Sequence, residues 1–274
     1  MHDCKPLAAA LGLAAALVSP LAHAQEASVA DHVDARSPVT LGLSVGGSRY
    51  DNDYQSYYQA TFVPSVAVQL DHGVALEGAM PFTGGFTPNS SCCRYGLGNA
   101  TVGVRYRAQL GQGFELTVPG SVSLPTASAK GESRRNNLYT ATAELSRDAG
   151  LYLPDTVSAR MAAEVRYRRN RWSAMLGLGT SMWSTSGDDG RESTVVVPGY
   201  AEVGWRVIDS LTPTLGIRAI ANPGAEQPVA ASAEAGASYR RGPVLYQLKL
   251  AVPVDRESRE RNLLSILGAL SWRI

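Results

Sequence analysis

Residues 96–107 read GLGNATVGVRYR, and the reading of their second half decides the fold. Val102, Val104 and Tyr106 alternate with Thr101, Gly103, Arg105 and Arg107, so an extended chain here has one apolar face and one face carrying two guanidinium groups. Neither face resembles an ordinary protein core.

The same period of two recurs along the chain. Tyr58, Ala60, Phe62, Pro64, Val66, Val68 and Leu70 share a face. So do Phe114, Leu116, Val118, Val122 and Leu124, set against Glu115, Thr117, Ser121 and Ser123. Met161, Ala163, Val165 and Tyr167 oppose Arg160, Glu164, Arg166 and Arg168; Val203 and Trp205 oppose Glu202 and Arg206; Tyr246, Leu248 and Leu250 oppose Gln247 and Lys249. A soluble β-sandwich also alternates, but its strands average about 5–6 residues and its polar face meets water. Segments of about ten residues, with arginine and glutamate opposite an unbroken apolar face, are the pattern of a transmembrane β-barrel with lipid outside and a polar lumen inside. Backbone amides find no water in hydrocarbon, so a spanning sheet must close on itself.

The predicted fold class is therefore all-β, an antiparallel outer-membrane barrel. Twelve strands are expected, over 38–50, 57–70, 74–83, 98–109, 114–124, 156–168, 172–185, 193–207, 211–221, 229–240, 243–253 and 262–274. Their links alternate in length. Short ones fall at DHG (71–73), GQG (111–113), RNR (169–171), IDS (208–210) and RG (241–242). Longer ones lie between them, among them TGGFTPNSSCCRYGLG, SGDDGRE, PGAEQP and DRESRER. Short turns belong to the periplasmic side and long loops to the exterior, and an even strand number puts both ends of the barrel on the periplasmic side.

Tyr106, Phe114, Tyr167, Trp172, Trp205, Tyr239, Tyr246 and Trp272 all point outward in this register beside short turns, as an interfacial girdle requires. Pro64, Pro119, Pro198 and Pro213 fall inside expected strands, where each removes a ladder hydrogen bond, and are expected at bulges or strand ends. Residues 138–153 repeat apolar positions at three- and four-residue intervals (Leu138, Ala141, Leu145, Ala149, Tyr152) and predict a short helix within a long third external loop. That helix, near 138–146, is either an ordinary loop helix or one that dips inward as a plug.

Residues 1–24 carry Lys5, an apolar run from Leu7 to Val18 and the small-x-small sequence Ala22-His23-Ala24, which predicts a cleaved signal peptide. Residues 25–37 are read as a periplasmic lead and 38–274 as the barrel. Removing Lys5 and Asp3 from 25 basic and 24 acidic residues leaves 24 and 23, a balance that gives nucleic-acid partners no support. The expected partners are outer-membrane lipid, lipopolysaccharide, the barrel-assembly machinery and a small-molecule solute.

The run Gly96-Leu97-Gly98-Asn99, followed by Gly103, Tyr106-Arg107 and Leu124-Pro125-Thr126, resembles the outer-membrane porin family associated with phenol-degradation pathways. The resemblance centres on residues 96–126. In that family the position of Asn99 is usually acidic and that of Ala127 usually glycine. The resemblance implies a barrel for passage of small, often aromatic molecules, and its motif is one of strand and turn with no chemistry in it.

The candidate lumen residues are Glu77, Arg105, Arg107, Glu115, Arg160, Glu164, Arg166, Arg168, Glu202, Arg206, Arg218, Glu234, Arg240 and Lys249. They form either a charged constriction that selects solutes or an ion-pair network that fills a small barrel, and the two roles are compatible. Vicinal Cys92 and Cys93 fall in the second external loop and are read as a strained disulfide, a soft-metal site or an incidental pair. Neither histidine nor further cysteine lies near enough in sequence to complete a metal shell, and no metal or cofactor is expected.

A catalytic triad is not expected either. Beyond the signal peptide the chain offers only His32, in the lead, and His72, in a short turn. The sequence thus predicts a channel, with a closed envelope-structural barrel as the second reading and an outer-membrane hydrolase as the third.

Overall fold

The computed structural model describes residues 39–51, 56–86, 94–127, 130–131, 137–138, 140, 149–187, 190–223, 229–255 and 262–274. The signal peptide, the lead, Cys92 and Cys93, and all of the expected loop helix but Leu138 and Thr140 lie outside these residues.

The described chain forms the strands β1 (Val39–Asp51), β2 (Ser56–Gln69), β3 (Val74–Ala79), β4 (Phe82–Phe86), β5 (Arg94–Leu97), β6 (Thr101–Gly111) and β7 (Phe114–Ser123), followed by β8 (Thr156–Arg169), β9 (Trp172–Gly187), β10 (Gly190–Trp205), β11 (Leu211–Ala221), β12 (Val229–Arg241), β13 (Val244–Pro253) and β14 (Asn262–Arg273). β1 pairs antiparallel with β2 on one side and with β14 on the other, Leu41 facing both Val66 and Trp272, so the sheet has no free edge. β3 and β4 lie end to end along β2, with Ser65 opposite Ala79 and Phe62 opposite Phe82. They are one barrel strand broken at Met80–Pro81. β5 and β6 are likewise one strand, broken at residues 98–100. The result is a closed antiparallel barrel of twelve strands.

Three expected boundaries change, the first at the link SGDDGRE (186–192), where β9 runs to Gly187 and β10 resumes at Gly190 with Arg191 opposite Ser186. The third strand, expected as continuous over 74–83, is interrupted by Pro81, which has no N–H to donate. The second long loop is shorter than 84–97, because Phe82–Phe86 and Arg94–Leu97 extend the hairpin with Gly84 opposite Tyr95.

Burial is inverted relative to a soluble protein. The perimeter holds Val104 (47% exposed), Leu176 (64%) and Ile217 (65%), while Arg105 (5%), Glu164 (5%) and Arg218 (3%) are enclosed. Each large apolar side chain left in water would forgo about 1.5–3 kcal/mol. A perimeter lined with them is stable only against acyl chains.

The prolines interrupt the ladder on one flank each. Pro119 keeps its place opposite Arg105, but the β7–β8 register skips from Thr117–Glu164 to Gly120–Met161. Pro198 remains opposite Ile220 while β9–β10 skips from Val196–Ser181 to Gly199–Leu178. Pro64 lies opposite the Met80–Pro81 break, and Pro213 falls beyond the last β10–β11 pair at Thr214.

All five short links are tight turns, and four contain left-handed residues: His72 and Gly73, Gly111, Gln112 and Gly113, Asn170, and Gly242. The fifth, at 208–210, closes with a bridge between Ile208 and Leu211. Around this end the outward aromatics pack in pairs: Phe114 with Tyr167 at 4.6 Å, Trp172 with Trp205 at 6.0 Å, and Tyr239 with Tyr246 at 6.2 Å between ring centroids.

Candidate functional site

The inward faces of the strands place the candidate residues on two walls. β3, β6, β7 and β8 carry Glu77, Arg105, Arg107, Glu115, Arg160, Glu164, Arg166 and Arg168; β10 to β13, with the residue after β10, carry Glu202, Arg206, Arg218, Glu234, Arg240 and Lys249.

On the second wall, at mid-barrel, four of these residues form one network. Arg218 Nε donates to Glu234 at 3.1 Å, Lys249 Nζ lies 3.8 Å from Glu234 and is bonded to Glu202, and Arg218 stacks over the Tyr200 ring at 5.2 Å. Lys249 on β13 reaches Glu202 on β10 across two intervening strands, and the path is cleared by Gly236, where a Cβ would stand 2.7 Å from Lys249 Cγ. Tyr200 lies over its ladder partner Gly177, where a Cβ would strike the ring. Tyr200 was not among the sequence candidates; a glycine in a neighbouring strand was its only trace.

The first wall is paired more loosely. Arg105 is ion-paired with Glu77 across β3–β6, and Arg107 Nε lies 3.6 Å from Glu115, which also accepts from Gln109 at 2.7 Å. Glu115 faces Arg166 directly in the β7–β8 ladder. Small residues (Ala67, Ala79, Gly103, Pro119 and Ala162) leave a niche of about 70 Å³ beside Glu77 and Arg160.

At the short-turn end the lumen opens into a cup of about 270 Å³. Its lining includes Arg166, Arg168, Arg171, Arg206, Arg240 and Lys249 against the carboxylates Glu202 and Asp209. Arg171 and Asp209 belong to turns and escaped the sequence reading, which sought lumen residues only in strands.

At the opposite end lie described residues of the long loop between β7 and β8. Asn137, fully buried, donates to the Leu97 carbonyl at 2.9 Å and accepts from the Thr83 hydroxyl at 2.8 Å. Thr140 donates to Gln59 at 3.1 Å. Leu151 and Tyr152 pack in an apolar cluster with Trp183, Val196 and Ile220. The tie at β2 and the contact at β11 lie seven barrel positions apart one way round and five the other, so the loop touches nearly opposite walls.

Its seat is the break between β5 and β6. Asn99, fully buried, donates through Nδ2 to the carbonyls of Gly150 at 2.9 Å and Leu153 at 2.8 Å, and accepts from the Ala127 amide at 2.8 Å. A carboxylate at this position would have no proton for the two carbonyls. The amide therefore suits this chain where the resembling family is usually acidic.

No family model matches the sequence, and no curated protein matches it. Solved structures do share the fold. An outer-membrane channel from Pseudomonas putida F1 superposes with a TM-score of 0.64 at 12% identity, covering 89% of this chain and 100% of that one. The translocator domain of the autotransporter NalP from Neisseria meningitidis gives 0.54 at 9% identity, covering 86% and 88%. The NanC porin gives 0.51 at 10% identity, covering 85% and 98%. These likenesses establish the barrel fold.

Proposed function

We propose that this chain is an outer-membrane channel for passive movement of small solutes past a charged lumen. The observation that carries it is the inverted barrel enclosing charged walls and a cup of about 270 Å³ at its short-turn end. The likeness to the Pseudomonas channel supports the reading, and so does the resemblance of residues 96–126 to the phenol-pathway porins, which points to aromatic or hydrophobic solutes. Export through a signal peptide, insertion by the barrel-assembly machinery and contact with lipopolysaccharide belong to the same reading.

The charged residues act in two ways. The Arg218–Glu234–Lys249–Glu202 network braces one wall, while the cation-rich cup sets the field that a solute meets. In planar bilayers the purified protein is expected to give discrete current steps; a lipid-inserted barrel with no steps above background defeats the proposal. A closed structural barrel is the second reading, favoured by the β7–β8 loop seated across the outer end. It expects no conductance before or after that loop is unseated.

A further inference from the structure

Resting on the channel reading, we propose that the short-turn cup is a binding site for small organic carboxylates with an apolar body, of the size of benzoate. The first argument is charge. Six cationic side chains face two carboxylates in the lining, a net of +4, and extending the count up the wall to Glu115 and Arg107 leaves it unchanged. A concave site with a net charge of one sign concentrates the opposite ion.

The second argument is the placement of apolar side chains among the cations. Arg166 is the direct ladder partner of Met175, and its Nη2 lies 3.2 Å from the Met175 sulfur. Arg240 is the direct ladder partner of Leu245. All four line the cup. Each guanidinium therefore has an aliphatic surface beside it, on strands at different points of the circumference. A guanidinium offers a planar fork to a carboxylate, and the neighbouring thioether or isobutyl group covers the hydrocarbon that follows it. An inorganic anion would use the first feature and leave the second idle.

The third argument is size. A cup of about 270 Å³ admits a single-ring acid together with ordered water, whereas the wall niche of about 70 Å³ is too small for it. The cup is thus the place along the lumen where such a solute pauses.

The test is calorimetric titration of the detergent-purified full barrel with sodium benzoate, sodium acetate and benzyl alcohol, repeated with R166Q and R240Q, with heat-modifiable gel mobility as the measure of folding. Benzoate is expected to bind at least about ten-fold more tightly than benzyl alcohol and than acetate, and each substitution is expected to weaken it about five-fold. Equal binding of benzoate and benzyl alcohol, or folded variants that bind as the parent does, would overturn the anion site. Acetate binding as tightly as benzoate would overturn the apolar half of the claim, and no binding by the folded parent would overturn all of it. Binding is read without current, so a non-conducting barrel that takes up benzoate removes the channel reading and leaves the site standing.

Discussion

The two ends of the barrel are built from opposite materials. At the loop end the contacts are neutral: Asn99 and Asn137, both fully buried, hold described parts of the β7–β8 loop against the wall, and Leu151 and Tyr152 pack against Trp183. The short-turn end is charged, with six cations and two carboxylates lining a cup of about 270 Å³. Neutral amides satisfied by carbonyls make a seat that is either formed or lost. Like charges around a void do not pack together and keep the space solvated. On the channel reading proposed above, access belongs to the loop end and preference among solutes to the cup.

The contrast can be broken most severely at the seat. Asn99→Asp places a carboxylate against the carbonyls of Gly150 and Leu153, and the loop is expected to lose about 3 kcal/mol or more of anchoring. Raised conductance and faster proteolytic nicking between β7 and β8 would show it; unchanged values for both would mean that Asn99 does not control access.

Next in size is the brace between the two ends. Glu234→Gln leaves Arg218 and Lys249 with one fewer carboxylate and is expected to cost roughly 3 kcal/mol, read as a lower temperature for loss of heat-modifiable mobility. A normal melting temperature would indicate that lumen water screens the network.

Thr140→Val removes the hydrogen bond to Gln59 and is expected to loosen the loop by about 1 kcal/mol. Open events should become more frequent without a change in their size. A change in single-channel amplitude instead would place Thr140 in the conducting path.

The smallest effect sharpens the cup. Arg168→Gln removes one charge from it, worth about 0.7 kcal/mol to an anion roughly 6 Å away in water. Salt at about 0.15 M screens this to roughly half, and the cation gains what the anion loses, so the anion-over-cation permeability ratio, from the reversal potential in a salt gradient, should fall about three-fold. A ratio that does not move would exclude Arg168 from selectivity.

The cup and the seat were not equally legible in the sequence. Lumen-facing Arg105, Glu164 and Lys249 follow from the period of two, because a one-residue slip would send every one of them into lipid. The five tight links follow from residues that tolerate a left-handed backbone or end a strand. The seat has no such period. Asn99 meets Gly150 and Leu153 more than fifty positions later, and Thr140 meets Gln59 across 81. Nothing local in residues 137–153 announces those partners; their three- and four-residue spacing predicts only a helix, and the described Asn137, Leu138 and Thr140 are helical. The strand break at Met80–Pro81 was readable from Pro81 but hidden by alternation that continues in phase from Leu76 to Phe82.

The way the wall is joined has a consequence for how it is made. Eleven of its twelve seams connect stretches that follow one another along the chain, so each can zip as a local meander. The twelfth joins Thr40 to Arg273 and Leu41 to Trp272, and bears the loop entropy of nearly the whole polypeptide. That seam should be the last to knit. A cysteine pair introduced at Leu41 and Trp272 would crosslink late in refolding, after the hairpins elsewhere have gained protection from hydrogen exchange.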